Sequence, residues 1–163
     1  MSNIAIGFDI PCGLVVLEEG VVPRVLYELE IRPGTHNDML FNHLQEAVRK
    51  YGATCIGCEK PYTGKWDPRP SVGMSQREKL GIVKLVAEMA RIPVFQFAPQ
   101  TVKARCAGHG HASKERMIWR MKSLFHLKSD SDHVADACAI AACSLGELAA
   151  KKFSHRQLKI KSK

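Results

Sequence analysis

The sequence lacks the features of a membrane, secreted or disordered protein. No apolar run approaches the roughly 18 residues that a membrane span needs. The first residues, MSNIAIGFDIP, contain neither a basic region nor a small-residue cleavage site, so they do not predict a signal peptide. Hydrophobic residues make up 45% of the 163 residues, too large a share for a disordered chain. We therefore expect one globular domain of ordinary size, located in the cytoplasm.

The chain also lacks a convincing second ligand pair for a zinc site. Cys55 and Cys58 have the spacing of a metal knuckle, but structural zinc requires two further Cys or His ligands at matching spacing. The best candidates, His109 and His111, lie in a glycine-rich turn. An odd separation along a strand also directs Cys55 and Cys58 to opposite faces. We expect this pair to be core residues, and all six cysteines to be free and mostly buried.

Acidic residues are absent from the segment Lys151–Lys163, which contains six Lys and Arg. The formal charge is +8, and the preceding 150 residues, with 18 basic and 16 acidic groups, carry only +2 of it. A second basic stretch, Lys103–Lys122, has six basic residues and one acid. Both stretches suit a polyanion such as nucleic acid, although a basic tail is equally compatible with a solvated chain end. We assign residues 1–150 to the folded domain and residues 151–163 to a basic C-terminal tail.

Hydrophobic periodicity predicts an α/β fold. Three apolar or alternating segments, NIAIGFDI, GLVVLEE and RVLYELEI, predict an antiparallel meander of three strands. An amphipathic helix follows, with Thr35 as its expected cap and Gly52 at its end. The segment ATCIGCE then predicts a strand that is buried on both faces.

The second half of the chain continues the alternation of helices and strands. The pattern predicts a helix over 76–91, a strand in IPVFQFAP, a helix capped by Ser113 and a last helix that begins near Asp132. A strand that follows a helix and another strand favours parallel pairing. The sequence therefore predicts a mixed five-stranded sheet, with a three-strand antiparallel meander joined to parallel strands and helices on its faces.

Four side chains with ligand or acid–base chemistry fall where this fold would bring them together. Asp9 and Glu59 end two predicted strands, and α/β proteins usually build their sites at that edge. His133 and Asp136 share one face of the last helix. Three clustered carboxylates would repel one another, and divalent cations such as Mg²⁺ relieve that repulsion, while histidine can ligate Mn²⁺ or move a proton. Taken singly, however, each acid is more often structural, as a turn cap or as a charge at a helix N-terminus.

Four segments resemble the RuvC-type Holliday-junction resolvases, within the ribonuclease-H-like nucleases. They are IGFDIPCGLVV, CIGCEKPY, FQFAPQTVKARCAGHGHASKERMIWRM and DHVADACAIA, and the resemblance extends over about residues 4–148. The third segment is the most specific, because it combines a strand, P-x-x-V-K, a Gly-x-Gly turn and a lysine that opens a helix. The resemblance implies a ribonuclease-H-like fold, in a phage or bacterial member of the family.

The resemblance implies a metal-dependent DNA endonuclease that resolves four-way junctions by symmetric paired nicks. It implies two Mg²⁺ ions per site, with Mn²⁺ as a substitute, bound by Asp9, Glu59, His133 and Asp136. His133 stands where many members have a fourth aspartate and others a histidine. Lys114 matches the catalytic lysine near the scissile phosphate. A two-ion site of this kind would activate a water on one side of the phosphodiester and hold the leaving oxygen on the other.

The DNA-binding candidates come from the same resemblance and from the basic stretch. Lys103 matches a lysine that contacts the DNA backbone, and Tyr62 matches an aromatic that stacks on bases at the branch, although an ordinary loop aromatic would fit its position too. Arg105, Arg116 and Arg120 complete the set, with Lys114. Backbone contacts of this kind would make binding depend strongly on salt.

The resemblance also implies a homodimer formed through the 76–91 helix, and it leaves two other functions open. The segment IPCG after Asp9 and the proline-rich loop over 66–70 depart from the family pattern beside the expected DNA path. These departures allow a broader endonuclease that acts on flaps and forks. A non-catalytic junction-binding protein is the other alternative, but acids near a phosphate would weaken binding unless a metal is present.

Overall fold

The computed structural model describes residues 2–10, 12–32, 34–61 and 70–161, and the side chains among these except those at 70–74 and 152–161. The predicted stacking residue Tyr62 and the proline-rich loop over 66–70 lie outside the described residues, apart from the backbone of Pro70.

Five strands form one mixed sheet in the order β3-β2-β1-β4-β5. The strands are β1 (Ile4–Asp9), β2 (Gly13–Glu18), β3 (Arg24–Glu30), β4 (Cys55–Glu59) and β5 (Val94–Phe97). β1, β2 and β3 pair as an antiparallel meander, whereas β4 pairs in parallel with both β1 and β5. The predicted five-stranded mixed sheet is therefore confirmed.

Helices cover both faces of the sheet. They are α1 (Asn37–Tyr51), α2 (Pro70–Ala90), α3 (Pro99–Ala107), α4 (Lys114–Phe125) and α5 (Asp132–Lys161). α1 and α2 enclose one hydrophobic cluster with the sheet, and α3, α4 and α5 enclose the other. Cys58 belongs to the first cluster and Cys55 to the second, which confirms that the two thiols point to opposite faces. All six cysteines are free and buried, as expected.

The ends of the helices follow the predicted signals in two cases and differ in one. Gly52 ends α1 in the left-handed conformation, with φ of 66°, and the Ser113 hydroxyl accepts a hydrogen bond from the backbone N–H of Arg116 at the start of α4. The expected cap at Thr35 is wrong. α1 begins one residue later than a Thr35 cap would require, with His36 at the capping position, because the Thr35 hydroxyl donates to the carbonyl of Arg32 instead.

Three helical segments extend beyond the prediction. α2 begins at Pro70, before the expected start at 76, and α5 continues into the basic tail as far as Lys161. α3 was not predicted, because it is short and only Val102, Cys106 and Ala107 on it are buried, too few for a clear apolar periodicity.

The first half of α5 packs directly across β1 and β2, which fixes where its side chains lie. A Cβ added to Gly7 would overlap the carbonyl oxygen of Ala137, and one added to Gly13 would overlap the carbonyl oxygen of His133. Only glycine at these positions lets the two backbones approach so closely. The contact places the first turn of α5 against the edge where β1 ends.

The segment Asp132–Lys151 of α5 is long and apolar enough to cross a membrane by length and composition, which the sequence analysis did not anticipate. However, 56% of its apolar stretch is buried inside the molecule. That burial follows from the packing of α5 on the sheet, since a core helix between a sheet and other helices is apolar around most of its surface. We therefore interpret this segment as the central core helix.

Candidate active site

Two parallel strands bring Asp9 and Glu59 to the same edge of the sheet. Phe8 of β1 pairs in register with Cys58 of β4, so the two acids that follow are neighbours at the carboxyl ends of their strands. Asp9 is buried, with 5% of its surface exposed, and Glu59 is half-buried. Burial is the main cause that raises the pKa of Asp9 to about 6 and that of Glu59 to about 7. The repulsion between these two acids and Asp136 adds to both shifts.

The first turn of α5 adds two more side chains to this pair. Nδ1 of His133 lies 2.7 Å from Oδ2 of Asp9, and this hydrogen bond acts to lower the pKa of Asp9 against the larger effect of burial. Asp136, one turn further along the same face, has a pKa raised by burial. Its charge also acts on both strand acids. All four residues that the sequence analysis selected as metal ligands therefore lie close enough to act on one another electrostatically.

The chemistry of this cluster suits a hard divalent cation. Three carboxylates and one imidazole provide oxygen and nitrogen donors of the kind that Mg²⁺ and Mn²⁺ accept. Burial, with the repulsion from the neighbouring acids, raises the pKa values of Asp9 and Glu59, so the protein alone stabilises their ionised forms poorly. Within the described part of the chain, no three Asp, Glu, His or Cys side chains are spaced closely enough to hold one ion. A shared ion would therefore require these side chains to rotate toward one another.

Two lysines approach the acidic cluster from different helices. The charge of Lys103, on α3, acts to lower the pKa values of both Glu59 and Asp136. Lys114, the first residue of α4, forms an exposed ion pair with Asp132, which raises the pKa of Lys114 and lowers that of Asp132. The predicted catalytic lysine and the predicted backbone lysine therefore both lie beside the four ligand candidates.

Asp132 is the residue at this site that sequence reasoning missed. Its charge raises the pKa values of Asp9 and Asp136, so it forms part of the same electrostatic cluster. Its position at the start of α5 suggests only a favourable charge at a helix N-terminus. The sequence offered one signal that Asp132 belongs to the site, since it directly precedes His133.

The three predicted DNA-binding arginines make other contacts in the structure. Arg105 forms an ion pair of 2.8 Å with Glu147, which lies eleven residues beyond Asp136 and so about 16 Å further along α5. Nε of Arg116 donates to the carbonyl of Ala107. Nε of Arg120 donates to the carbonyl of Cys106. The last two contacts satisfy carbonyls at the C-terminal end of α3, where cations are favourable.

Comparison with known proteins gives one consistent family. A family model described as "Crossover junction endodeoxyribonuclease RuvC" matches residues 13–144. The match includes Glu59, His133 and Asp136 and begins four residues after Asp9, so the assignment of Asp9 rests on the geometry above.

Individual relatives carry the same description. The protein of Anaeromyxobacter sp. (strain Fw109-5) is 30% identical over 158 residues, which cover 91% of this chain and 75% of the relative. The protein of Wolbachia sp. subsp. Brugia malayi is 29% identical over 111 residues, which cover 68% of this chain and 67% of the relative. With the relatives from Chlamydia trachomatis, the alignment spans 62% of the relative's length.

Solved structures agree with this family. The structure of Thermus thermophilus RuvC in complex with a Holliday junction substrate matches with a TM-score of 0.71 and 25% identity, over 85% of this chain and 90% of that chain. The yeast mitochondrial Holliday junction resolvase Ydc2 matches with a TM-score of 0.61 at 13% identity, over 88% of this chain and 78% of that chain, which shows a shared fold.

Proposed function

The chain belongs to the RuvC family of crossover junction endodeoxyribonucleases, and we propose that it is a metal-dependent endonuclease that resolves four-way DNA junctions by symmetric paired nicks. The observation that carries the proposal is the grouping of Asp9, Glu59, His133 and Asp136 at one edge of the sheet. A cytoplasmic location, where cellular DNA is accessible, is part of the same proposal.

We propose that two Mg²⁺ ions, with Mn²⁺ as a substitute, bind to Asp9, Glu59, His133 and Asp136. The raised pKa values of Asp9, about 6, and Glu59, about 7, support this, because such acids gain most from a neighbouring cation. When bound, the ions would lower the pKa of an attacking water and neutralise the charge that develops on the phosphate and the leaving oxygen.

His133 orients and steadies the most buried of these acids. An ionised carboxylate can only accept hydrogen bonds, so Nδ1 of His133 carries the proton and donates it to Oδ2 of Asp9 across 2.7 Å. This bond favours the ionised form of Asp9 and fixes the plane of the ring. The other ring nitrogen then has a free lone pair, with which it can bind a metal ion or accept a proton.

Lys103 and Lys114 would attract and position the DNA backbone beside the acids. The charge of Lys103 already acts on Glu59 and Asp136. Lys114 would exchange its exposed pair with Asp132 for a phosphate, at little cost because exposed ion pairs contribute little stability. Binding through these and other backbone contacts would weaken steeply with salt.

A homodimer would place two such sites on one four-way junction. Leu85 and Met89 on α2 support this part of the proposal, since they are 53% and 59% exposed and lie one turn apart on one face of the helix. Large apolar side chains exposed in this arrangement suit burial against a second copy.

Cleavage of three synthetic substrates tests the proposed function. A four-way junction, a flap and a plain duplex would be incubated with the protein and Mg²⁺ or Mn²⁺. Paired nicks at symmetric positions in the junction alone support the proposal. Equal or faster cutting of the flap would instead favour the broader branched-DNA endonuclease.

A further inference from the structure

Two buried thiols lie close together between α3 and α5, outside the candidate active site. The Sγ atoms of Cys106 and Cys143 are 3.9 Å apart, and each residue is less than a tenth exposed. Cys143 lies seven residues beyond Asp136, about 10 Å further along α5. The proposed function uses neither thiol.

The surroundings of this pair differ from those of the other cysteines. A hydrogen bond from Cys106 lowers the pKa of the Cys143 thiol and outweighs the opposite effect of burial, and the Arg105 guanidinium beside it lowers the pKa further. The same hydrogen bond raises the pKa of Cys106. The S–H of Cys106 has two acceptors within reach, the carbonyl oxygen of Ala139 at 3.7 Å and the sulfur of Cys143 at 3.9 Å. When Cys143 loses its proton, Cys106 can donate to the resulting thiolate, which is the reactive form of cysteine. Burial raises the pKa values of the other four thiols, to about 12 for Cys55, Cys58 and Cys138.

The pair is linked to the candidate active site through both helices. Lys103 and Cys106, three residues apart, share one face of α3. Asp136 and Cys143, seven residues apart, share one face of α5. The two helices therefore interact at two places. The charge of Lys103 acts on Asp136, and about 10 Å further along α5 the thiol of Cys106 contacts that of Cys143.

We propose that Cys106 and Cys143 form a reversible redox pair that hydroperoxides convert to a disulfide, and that this bond displaces Lys103 relative to Asp136 and slows DNA cleavage. The sulfur atoms must move closer by almost 2 Å to reach the length of a disulfide, about 2.05 Å. Since Lys103 is on the same face of α3 as Cys106, this movement changes its position beside the acids. The effect on cleavage rests on the proposed function, whereas the formation of the disulfide does not.

The chemistry needs only hydrogen peroxide as oxidant. The Cys143 thiolate attacks the O–O bond, so that an S–O bond forms, hydroxide leaves and takes up a proton from solvent, and Cys143 becomes a sulfenic acid. The sulfur of Cys106 then attacks the sulfur of Cys143. The S–S bond forms and the S–O bond breaks. The leaving hydroxide takes the thiol proton of Cys106 and becomes a second water molecule. Peroxide is reduced, the two thiols are oxidised, and a thiol reductant reverses the change.

Thiol mapping after peroxide treatment tests the disulfide. The full-length folded protein would be treated with hydrogen peroxide, unfolded, alkylated and digested, and its peptides identified by mass spectrometry. We expect a Cys106–Cys143 cross-link and alkylation of the other four cysteines. The control Cys138→Ala should lose the same two thiols, and a variant with Cys106→Ala and Cys143→Ala should lose none. An unmodified Cys143, or a disulfide between other cysteines, would overturn the proposal, and the wild-type map alone decides this if a variant does not fold.

Junction cleavage by the same samples tests the functional part. We expect the oxidised wild type to cut about tenfold more slowly, a loss that dithiothreitol reverses and that the double variant does not show. If untreated protein cuts and the mapped disulfide leaves its rate unchanged, the link to activity is wrong. If untreated protein cuts no substrate, the proposed function fails, and the thiol map still stands on its own.

Discussion

Nδ1 of His133 lies 2.7 Å from Oδ2 of Asp9, and this bond joins the first turn of α5 to the end of β1. The two residues are 124 positions apart in the sequence, so the bond exists only when the core helix has packed across the sheet. Gly13 allows this packing, because the carbonyl of His133 occupies the space that its side chain would need. The site therefore depends on the close packing of α5 on the sheet, of which the contact at Gly13 is the part nearest to His133.

Gly13→Ala should reduce both stability and cleavage. The added Cβ would overlap the carbonyl oxygen of His133, so α5 must move away from β2, at a cost of about 1–3 kcal/mol. Urea unfolding would measure the free energy of unfolding. Gly146→Ala is the matched control, since a Cβ there has no neighbouring atom within 4 Å. Equal stability of the two variants would contradict the close packing of α5 on the sheet.

His133→Ala should shift the pH dependence of cleavage toward higher pH. The hydrogen bond from His133 lowers the pKa of Asp9, so its loss raises that pKa above its present value of about 6. Asp9 must be ionised to act as a ligand, and activity is then lost at a higher pH as the solution is acidified. Rate profiles from pH 5 to 9 test this, with His43→Ala on α1 as control. If the fall in cleavage rate at low pH is the same in His133→Ala and in the wild type, His133 does not lower the pKa of Asp9.

Glu59→Gln should stabilise the metal-free protein at neutral pH. The folded pKa of Glu59, about 7, lies above the value of an unfolded glutamate, so the folded state binds this proton more tightly. The contribution of Glu59 to stability is thus present at low pH and is lost as the pH rises through about 7. Thermal unfolding should show a gap in Tm between variant and wild type that widens from pH 4 to pH 8.

Mg²⁺ should reverse the difference in Tm between Glu59→Gln and the wild type. We expect Mg²⁺ to raise the Tm of the wild type at pH 8 and to have little effect on Glu59→Gln, because the variant lacks one anionic ligand. Glu46→Gln, on α1, controls for the loss of any acid. If Mg²⁺ stabilises all three proteins equally, Glu59 is not a ligand.

Lys114→Ala should slow junction cleavage by about 10- to 100-fold while binding weakens much less, because its charge acts near the reacting phosphate. Lys122→Ala is a close control, since Lys122 lies on the same helix and also forms an exposed ion pair, with Asp130. Single-turnover rates and junction titrations separate the two effects. If both variants bind the junction more weakly, to the same degree, and their single-turnover rates are unchanged, Lys114 is an ordinary phosphate contact.

The sequence predicted the main features of the sheet and the candidate ligands for a physical reason. Strand alternation and the order of elements are local signals, and they place Asp9 and Glu59 at strand ends. Helical spacing then places His133 and Asp136 on one face.

The features that were missed depend on tertiary contacts. α3 has too few buried residues to show a periodic pattern. Thr35 had a competing partner, the carbonyl of Arg32. The arginines at 116 and 120 fit a basic DNA-binding surface by composition, and their contacts with α3 carbonyls become visible only in the folded chain.

Cleavage and binding of a four-way junction by wild type and Asp9→Asn, side by side in Mg²⁺, test the central claim most directly. The wild type should make paired nicks, and Asp9→Asn should cut at least about a thousandfold more slowly, because it lacks a charged ligand at the centre of the cluster. Junction affinity should stay the same or rise, since one negative charge near the phosphate is removed, and Asp38→Asn on α1 should behave as wild type. Cleavage by Asp9→Asn at the wild-type rate would contradict the assignment of this site.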